Sequence, residues 1–145
     1  MFFGNINIDK AKGAILAHSQ KFSSLLIRKG TTLTNIHIKK LKDLGIEKLV
    51  CARLEKDDVD ENSSATELAS KFKDPSLKFS IASTGRINFF SKNFGILRYD
   101  KDIIINYNLV DEGVTLALLP NNSLVKESQL VGTLKIIPYS IPHKV

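Results

Sequence analysis

The sequence predicts an α+β protein, with an α/β amino-terminal lobe of two helices packed on a β-rich carboxyl-terminal lobe of short mixed strands. Two observations favour this fold class. The first half holds two helical segments with start and stop signals among short apolar runs. After Pro75, β-type runs are separated by Gly, Asn, Asp and Pro. We therefore assign residues 1–74 to the α/β lobe and residues 75–145 to the β-rich lobe, and expect one compact unit.

The first predicted helix covers residues 34–45. Thr34 is a preferred N-cap residue, and Gly45 stands where a glycine commonly ends a helix. Apolar residues in the intervening segment recur at helical spacing. Strands are predicted around this helix, because turn residues bound three short apolar runs: residues 13–19, 24–30 and 47–55.

The second predicted helix follows an acidic passage at residues 55–61. Ser64 and Glu67 have the spacing of a capping box. Asp74 precedes a proline and is therefore biased out of the helical conformation, so the helix should end before it. One apolar face is expected from four residues at helical spacing: Ala65, Leu68, Ala69 and Phe72.

The second lobe is predicted to be mostly strands. Residues 101–112 are ambiguous, because their β-branched triplet argues against a long helix, although one short helical turn would fit. The β-type runs are residues 77–91, 94–100, 113–120 and 129–141.

Composition narrows the class of protein. The chain has 145 residues, of which 43% are hydrophobic, as is ordinary for a globular protein. It contains no apolar run near the roughly 20 residues that cross a bilayer, and no signal-peptide pattern begins it. Cys51 is the single cysteine and is interpreted as a core thiol in a strand. A cytoplasmic protein without a membrane partner is expected.

The formal net charge of +6 raises the question of nucleic-acid binding. The charge is spread along the chain, and its densest cluster, residues 37–42, is interrupted by apolar residues on a predicted helix. A solvated helix face is therefore favoured over a polyanion site, and no nucleic-acid partner is expected.

Three local patterns have both a structural and a functional interpretation. Thr84, Gly85 and Arg86 form either a hairpin corner or an anion contact, because a turn offers backbone amides and arginine binds phosphate bidentately. His18 and Ser19 either close a strand or bind an oxyanion. The acidic passage at 55–61 fits a helix N-terminus better than a cation site, since the EF-hand spacing is absent.

Segments in chain order, spanning almost the whole sequence, resemble a known bacterial family. They are residues 13–19, 28–33, 37–62, 83–90, 95–100, 108–120 and 130–142. Together they are similar to the amino-terminal region of molybdopterin-binding proteins. In long members this region precedes a molybdopterin-binding domain and a nucleotidyltransferase domain of the molybdenum-cofactor cytidylyltransferase type. One departure is His37, where the family usually has aspartate, and it weakens any catalytic role for this position.

The resemblance implies a role in molybdenum-cofactor biosynthesis or handling, with molybdopterin or its nucleotide form as ligand. Catalytic and metal-binding residues are not expected in this domain alone, nor is Mg²⁺, because the glycine-rich nucleotide loop of long members would lie beyond residue 145. The chain would then be a short form or an excised amino-terminal domain. The residues expected to contact the phosphate or the pterin are His18, Ser19, Lys29, Thr84, Gly85, Arg86 and Asn88.

Two further expectations concern partners. The resemblance implies downstream or partner molybdenum-cofactor proteins, and an oligomer is compatible with it. The alternative is a structural or interaction domain that orients catalytic domains or a partner chain and binds no small ligand. In that case the turn at Thr84 to Arg86 is only a hairpin corner.

Overall fold

The computed structural model describes residues 1–22, 25–72 and 74–145. It is 21% helical and 39% strand, in several small sheets, which confirms the predicted α+β class. The chain divides into two compact units, Met1–Asp58 and Val59–Val145. Within the described residues, no helix is long and apolar enough to cross a membrane.

The first unit is built around an antiparallel sheet in the order β1–β5–β2, with a separate β3–β4 pair. The predicted strand at 24–30 begins at Ser24, which lies outside the described residues, and its described part is shorter than predicted. The strand β1 was not predicted. The elements are β1 (Phe2–Asn7), β2 (Ile15–Leu16), β3 (Gln20–Phe22), β4 (Leu25–Ile27), α1 (Asn35–Asp43) and β5 (Lys48–Arg53).

The ends of α1 agree with the sequence prediction. Thr34 is its N-cap, and its hydroxyl accepts a hydrogen bond from the His37 amide, while His37 Nδ1 accepts one from the Thr34 amide at 3.2 Å. Gly45 follows the C-cap with φ of 75°, and its amide donates to Lys42 O at 2.8 Å. His37 therefore completes a capping box, which gives this position a structural role.

Cys51 lies in the central strand of the first unit. Its side chain is fully buried in the core of that unit, as the apolar flanks in the sequence predicted. Burial raises the pKa of the Cys51 thiol, although the positive charge of Arg53 opposes the rise. A buried thiol with a raised pKa is a poor nucleophile at neutral pH.

The second unit contains a four-stranded antiparallel sheet in the order β10–β12–β8–β7 and two strand pairs, β11–β9 and β13–β6. Strands occur in each of the four predicted runs. The elements are β6 (Asp58–Asp60, starting one residue before the unit), α2 (Glu61–Ala69), β7 (Leu77–Phe79), β8 (Arg86–Ser91), β9 (Gly95–Leu97), α3 (Lys101–Leu109), β10 (Val114–Leu118), β11 (Ser123–Val125), β12 (Leu130–Ile136) and β13 (Ser140–Pro142).

The contacts divide the chain at 58/59, whereas the sequence placed a boundary at 74/75. The difference arises from α2, which contacts β8 and β12. Ala65 and Ala69 are buried in the core of the second unit, together with Phe89 and Leu134. The apolar face of α2 was predicted, but the sheet that it covers was not.

The predicted capping box of α2 is wrong. The helix begins at Glu61, because Asp60 is its N-cap and accepts hydrogen bonds from the amides of Asn62 and Ser63 at 3.0 and 3.1 Å. Ser64 instead lies inside the helix, where its hydroxyl donates to Val59 O. A carboxylate at the N-cap also complements the helix dipole. Asp60 therefore has the role that the sequence predicted for acidic residues before a helix.

Removal of this cap should be measurable. We expect Asp60→Ala to lower the free energy of unfolding by about 1 kcal/mol, because two amides at the start of α2 lose their acceptor. Asp60→Asn retains an acceptor and should lose less. Urea unfolding followed by tyrosine fluorescence is a suitable measurement, because the chain has no tryptophan and its three tyrosines, Tyr99, Tyr107 and Tyr139, all lie in the second unit.

The same cap gives an acid-dependent contribution. Burial opposes ionisation of Asp60, but the hydrogen bonds from Ser63 and Asn62 outweigh it and lower the pKa of the carboxyl. Its contribution to stability is then present above the ordinary aspartate pKa and is lost as the pH falls through the lower value of the folded state. The stability gap between wild type and Asp60→Asn should therefore shrink below about pH 4. A gap that stays constant down to pH 2 would contradict this assignment.

The ambiguous segment at 101–112 forms a helix of nine residues, longer than the single turn considered from sequence. Asp100 caps its start by accepting from the Asp102 amide at 2.9 Å. Near its end, the Asn108 side chain exchanges two hydrogen bonds with the backbone of Leu116 on β10. These tertiary contacts outweigh the low helix propensity of the β-branched residues.

Candidate functional site: a basic face beside a tight turn

A two-residue turn connects Ser83, which forms an isolated β-bridge with Arg86, to β8. Ser83 and Arg86 exchange backbone hydrogen bonds of 3.0 and 3.1 Å. Thr84 and Gly85, between them, have φ of 50° and 70°. Two successive left-handed residues make a type I′ turn, the form that matches the twist of a hairpin. The hairpin corner considered from the sequence is therefore present.

Three backbone groups of Thr84 and Gly85 already have partners. The Gly85 amide donates to Asn62 Oδ1 at 2.9 Å, and Gly85 O accepts from the Ile136 amide at 2.8 Å. Lys135 Nζ donates to Thr84 O. The sequence analysis expected the amides around Gly85 to face an anion; in the structure the Gly85 amide binds the α2 side chain instead.

Two of the residues expected to bind a ligand share one face of the four-stranded sheet. Arg86 and Asn88 alternate with the buried Ile87 along β8. Their antiparallel partners on β12 are Lys135 and Thr133, respectively. Opposed side chains point to the same face of a sheet, about 4.5–5.5 Å apart at Cβ. We call the side chains of Arg86, Asn88, Thr133 and Lys135 the basic face.

The polar pair of the basic face is connected by a hydrogen bond. Thr133 Oγ1 donates to Asn88 Oδ1 at 3.0 Å. The backbone amide of Asn88 donates to Ser80 Oγ at 3.0 Å. Both residues are half-buried. Their side chains are therefore held in place beside the two cations, as a binding surface requires.

The charges of the basic face are unevenly compensated. Lys135 Nζ lies 3.9 Å from Glu61 Oε2, with both side chains mostly buried. Arg86 is exposed and, among the described residues, has no carboxylate within ion-pair distance. Like charges opposed across two strands destabilise each other. An anion bound at Arg86 would relieve this repulsion.

Glu61 adds a negative charge beside the basic face. Burial, together with the nearby Glu61 carboxylate, raises the pKa of Tyr139. The Glu61 amide donates to Tyr139 O at 3.0 Å, which fixes the start of α2 against this segment. Glu61 therefore has two effects: it neutralises Lys135, and it disfavours an anion directly over Gly85, where its carboxylate is closest to the turn.

The remaining expected residues lie in the first unit. Ser19 Oγ accepts a hydrogen bond from the Lys29 amide at 2.9 Å, so these two residues are brought together. His18 is exposed, and its carbonyl accepts from Gln20 Nε2 at 3.4 Å. Here the seven expected residues form two groups, one in each unit: His18, Ser19 and Lys29, and Thr84, Gly85, Arg86 and Asn88.

No cluster of three or more His, Cys, Asp or Glu side chains suited to a metal ion occurs in residues 1–22, 25–72 and 74–145. Within the acidic passage, Asp58 Oδ2 accepts from the Glu55 amide at 2.8 Å, and Asp60 caps α2. The carboxylates of Asp58 and Asp60 therefore accept hydrogen bonds from backbone amides.

In comparisons with known proteins, no family model, no curated protein and no solved structure matches the chain.

Lys135 and Asn62 were not predicted to belong to a site. Both lie in segments from which the resemblance was inferred, residues 130–142 and 37–62. The alternation of Lys135 with the buried Leu134 and Ile136 is a strand signal. It shows which face Lys135 occupies, but the register that places it opposite Arg86 is a long-range property.

Proposed function

We propose that the chain is a molybdopterin-binding or accessory domain in molybdenum-cofactor biosynthesis or handling. Its second unit would bind the phosphate of molybdopterin or of its nucleotide form. The resemblance supplies the class of ligand, and the basic face supplies a place for it. The observation that carries the proposal is the pairing of Arg86 with Lys135 across β8 and β12.

Three segments that resemble the family meet at this face. Residues 37–62 contribute Glu61 and Asn62, residues 83–90 contribute the turn and Arg86, and residues 130–142 contribute Lys135. Separate segments of a chain that converge on one surface are expected where a shared function constrains them.

The chemistry fits a phosphorylated heterocycle. Arg86 is exposed, and its guanidinium can donate two parallel hydrogen bonds to a phosphate. Lys135 lies opposite Arg86 on β12, where Glu61 offsets part of its charge. The side chain of Asn88 lies two residues beyond Arg86 on β8, and its amide group would contact a polar edge of the pterin. These residues would bind and orient a ligand.

The proposal predicts binding of a pterin phosphate that depends on Arg86. We expect Arg86→Gln to weaken binding of 6-hydroxymethylpterin phosphate by about tenfold or more, because a charge-assisted hydrogen bond is lost. The measurement is a titration followed by the intrinsic fluorescence of the pterin. Binding should also weaken as salt is raised, since the ion pair is exposed.

Lys78→Gln is the matched control. Lys78 is an exposed cation on β7 of the same sheet and pairs with Phe90. It should leave the affinity within a factor of two or three. No saturable binding by the wild-type chain, or equal losses in Arg86→Gln and Lys78→Gln, would contradict the proposal.

The alternative of an interaction domain has its own supporting observation. Two apolar side chains one turn apart on α3 share one side of the helix and are largely exposed, with Ile105 at 55% and Leu109 at 75%. Such a surface is typical of a protein contact. A solution mass of a stable dimer, together with a melting temperature that pterin phosphate does not change, would favour this alternative.

A further inference from the structure

A second candidate site is a pocket in the second unit, away from the basic face. Its volume is about 680 Å³, within the usual range of roughly 300–1,000 Å³ for small-molecule sites. The floor includes Phe89 and Val131, both buried in the core. Phe94 and Ile96 also line it, with 69% and 54% of their surface exposed. The lining is thus mainly apolar and partly open.

The pocket has one uncommitted cation. Arg98 contributes to its lining, is exposed, and has no side-chain hydrogen bond or ion pair among the described residues. The one other charged residue in the described lining is Asp74, whose Oδ1 accepts from the Ser76 amide at 2.7 Å and so holds a turn. An apolar cavity with one free guanidinium is complementary to an amphipathic anion.

We propose that this pocket binds a small organic anion with a flat apolar part, and that Arg98 recognises the anionic group. The apolar part would lie against Phe89 and Val131, and the sulfonate, carboxylate or phosphate would meet Arg98. This site does not depend on the proposed molybdopterin role, since it shares no residue with the basic face.

The volume argues for a small molecule rather than a protein segment. A ligand of two or three fused or linked rings fills a cavity of this size.

The test uses two probes that share a ring system. Anilinonaphthalene sulfonate carries one negative charge, and N-phenylnaphthylamine is its neutral analogue. We expect anilinonaphthalene sulfonate to bind saturably, at one molecule per chain, with an affinity about tenfold lower in Arg98→Gln. The neutral amine should bind wild type and Arg98→Gln alike. Lys78→Gln, which removes an exposed cation outside the lining, is the matched control and should bind both probes as wild type does.

A second variant tests the location. Gly95 lines the pocket, and a Cβ built on it meets no atom within 4 Å. It lies two residues from Leu97 on β9, on the same face, and Leu97 packs against the core. Gly95→Trp should therefore direct an indole toward the pocket and weaken both probes. Its folding is checked by urea unfolding followed by the fluorescence of its single tryptophan.

The outcomes separate the two proposals. Equal affinity of the anionic probe for wild type and Arg98→Gln, or undiminished binding of both probes by a folded Gly95→Trp, would overturn the pocket inference. A pterin phosphate that binds through Arg86 would stand in either case. Conversely, if pterin phosphate does not bind, the pocket inference is still tested by comparing the affinity of the anionic probe for wild type and Arg98→Gln.

Discussion

Gly85→Ala is expected to lower the free energy of unfolding of the second unit by about 2–5 kcal/mol. Part of the loss is conformational, because Gly85 has φ of 70°, a left-handed conformation that costs an L-residue about 1–2 kcal/mol. The rest is steric. A Cβ on Gly85 would lie 2.7 Å from the Ile136 carbonyl oxygen and 3.0 Å from Glu61 Oε2. The backbone oxygen cannot move aside without breaking the hydrogen bond between Gly85 and β12, so overpacking adds about 1–3 kcal/mol.

The measurement is urea unfolding monitored by tyrosine fluorescence, with Gly95→Ala as control. Gly95 lies in β9 of the same unit, where an added Cβ meets open space. Its replacement should leave the free energy of unfolding unchanged or raise it by up to about 1 kcal/mol, because glycine is unfavourable in a strand. Equal stabilities of Gly85→Ala and Gly95→Ala would show that the turn is not packed as described.

Phe89→Ala is expected to cost about 3–5 kcal/mol, the usual loss for a fully buried aromatic ring. Phe89 is 1% exposed and lies on β8 in the core of the second unit. Its ring packs against Phe72 with centroids 5.3 Å apart, and against Phe79 in an edge-on arrangement at 4.9 Å. Removal of the ring leaves a cavity and breaks both aromatic contacts.

Phe90→Ala is the matched control for this substitution. Phe90 is the next residue of the same strand, is half-buried and points to the opposite face. Its loss should cost less than about 2 kcal/mol, because part of the ring is already in contact with water. If Phe90→Ala destabilised the unit as much as Phe89→Ala, the assignment of the core face of β8 would be wrong.

These stability experiments depend on features that the sequence predicted unequally. The limits of α1 followed from Thr34 and Gly45, because capping residues act locally. The start of α2 did not follow from Ser64, since Asp60, the last residue of β6, is an equally good cap. The segment of α3 was ambiguous because its β-branched triplet argued against a long helix, and the hydrogen bonds of Asn108 with Leu116 on β10 could not be predicted from that pattern.

The residues of the candidate site were also predicted unequally from the sequence. Thr84 and Gly85 predicted a turn, and the backbone angles agree. The sequence analysis also gave Arg86 as a candidate anion contact, from its residue type and the family resemblance. It did not find Lys135, because the pairing of β8 with β12 joins residues about fifty positions apart, and no local pattern fixes such a register.

Lys29 and Ser19 illustrate a further limit. The sequence placed them beside Thr84 and Arg86 in a single list of phosphate contacts. In the structure, Lys29 and Ser19 lie in the first unit, where the Lys29 backbone amide donates a hydrogen bond to Ser19 Oγ. Residues with suitable chemistry can thus be recognised from sequence, but their grouping depends on the fold.

The central claim is that a pterin phosphate binds the basic face of the second unit. The most direct test is a titration of the isotopically labelled chain with 6-hydroxymethylpterin phosphate, followed by changes in amide chemical shifts. The account predicts that the largest changes occur at Arg86, Asn88, Thr133 and Lys135, and that they disappear in Arg86→Gln. Shifts confined to His18, Ser19 and Lys29, or no saturable shifts at all, would contradict it.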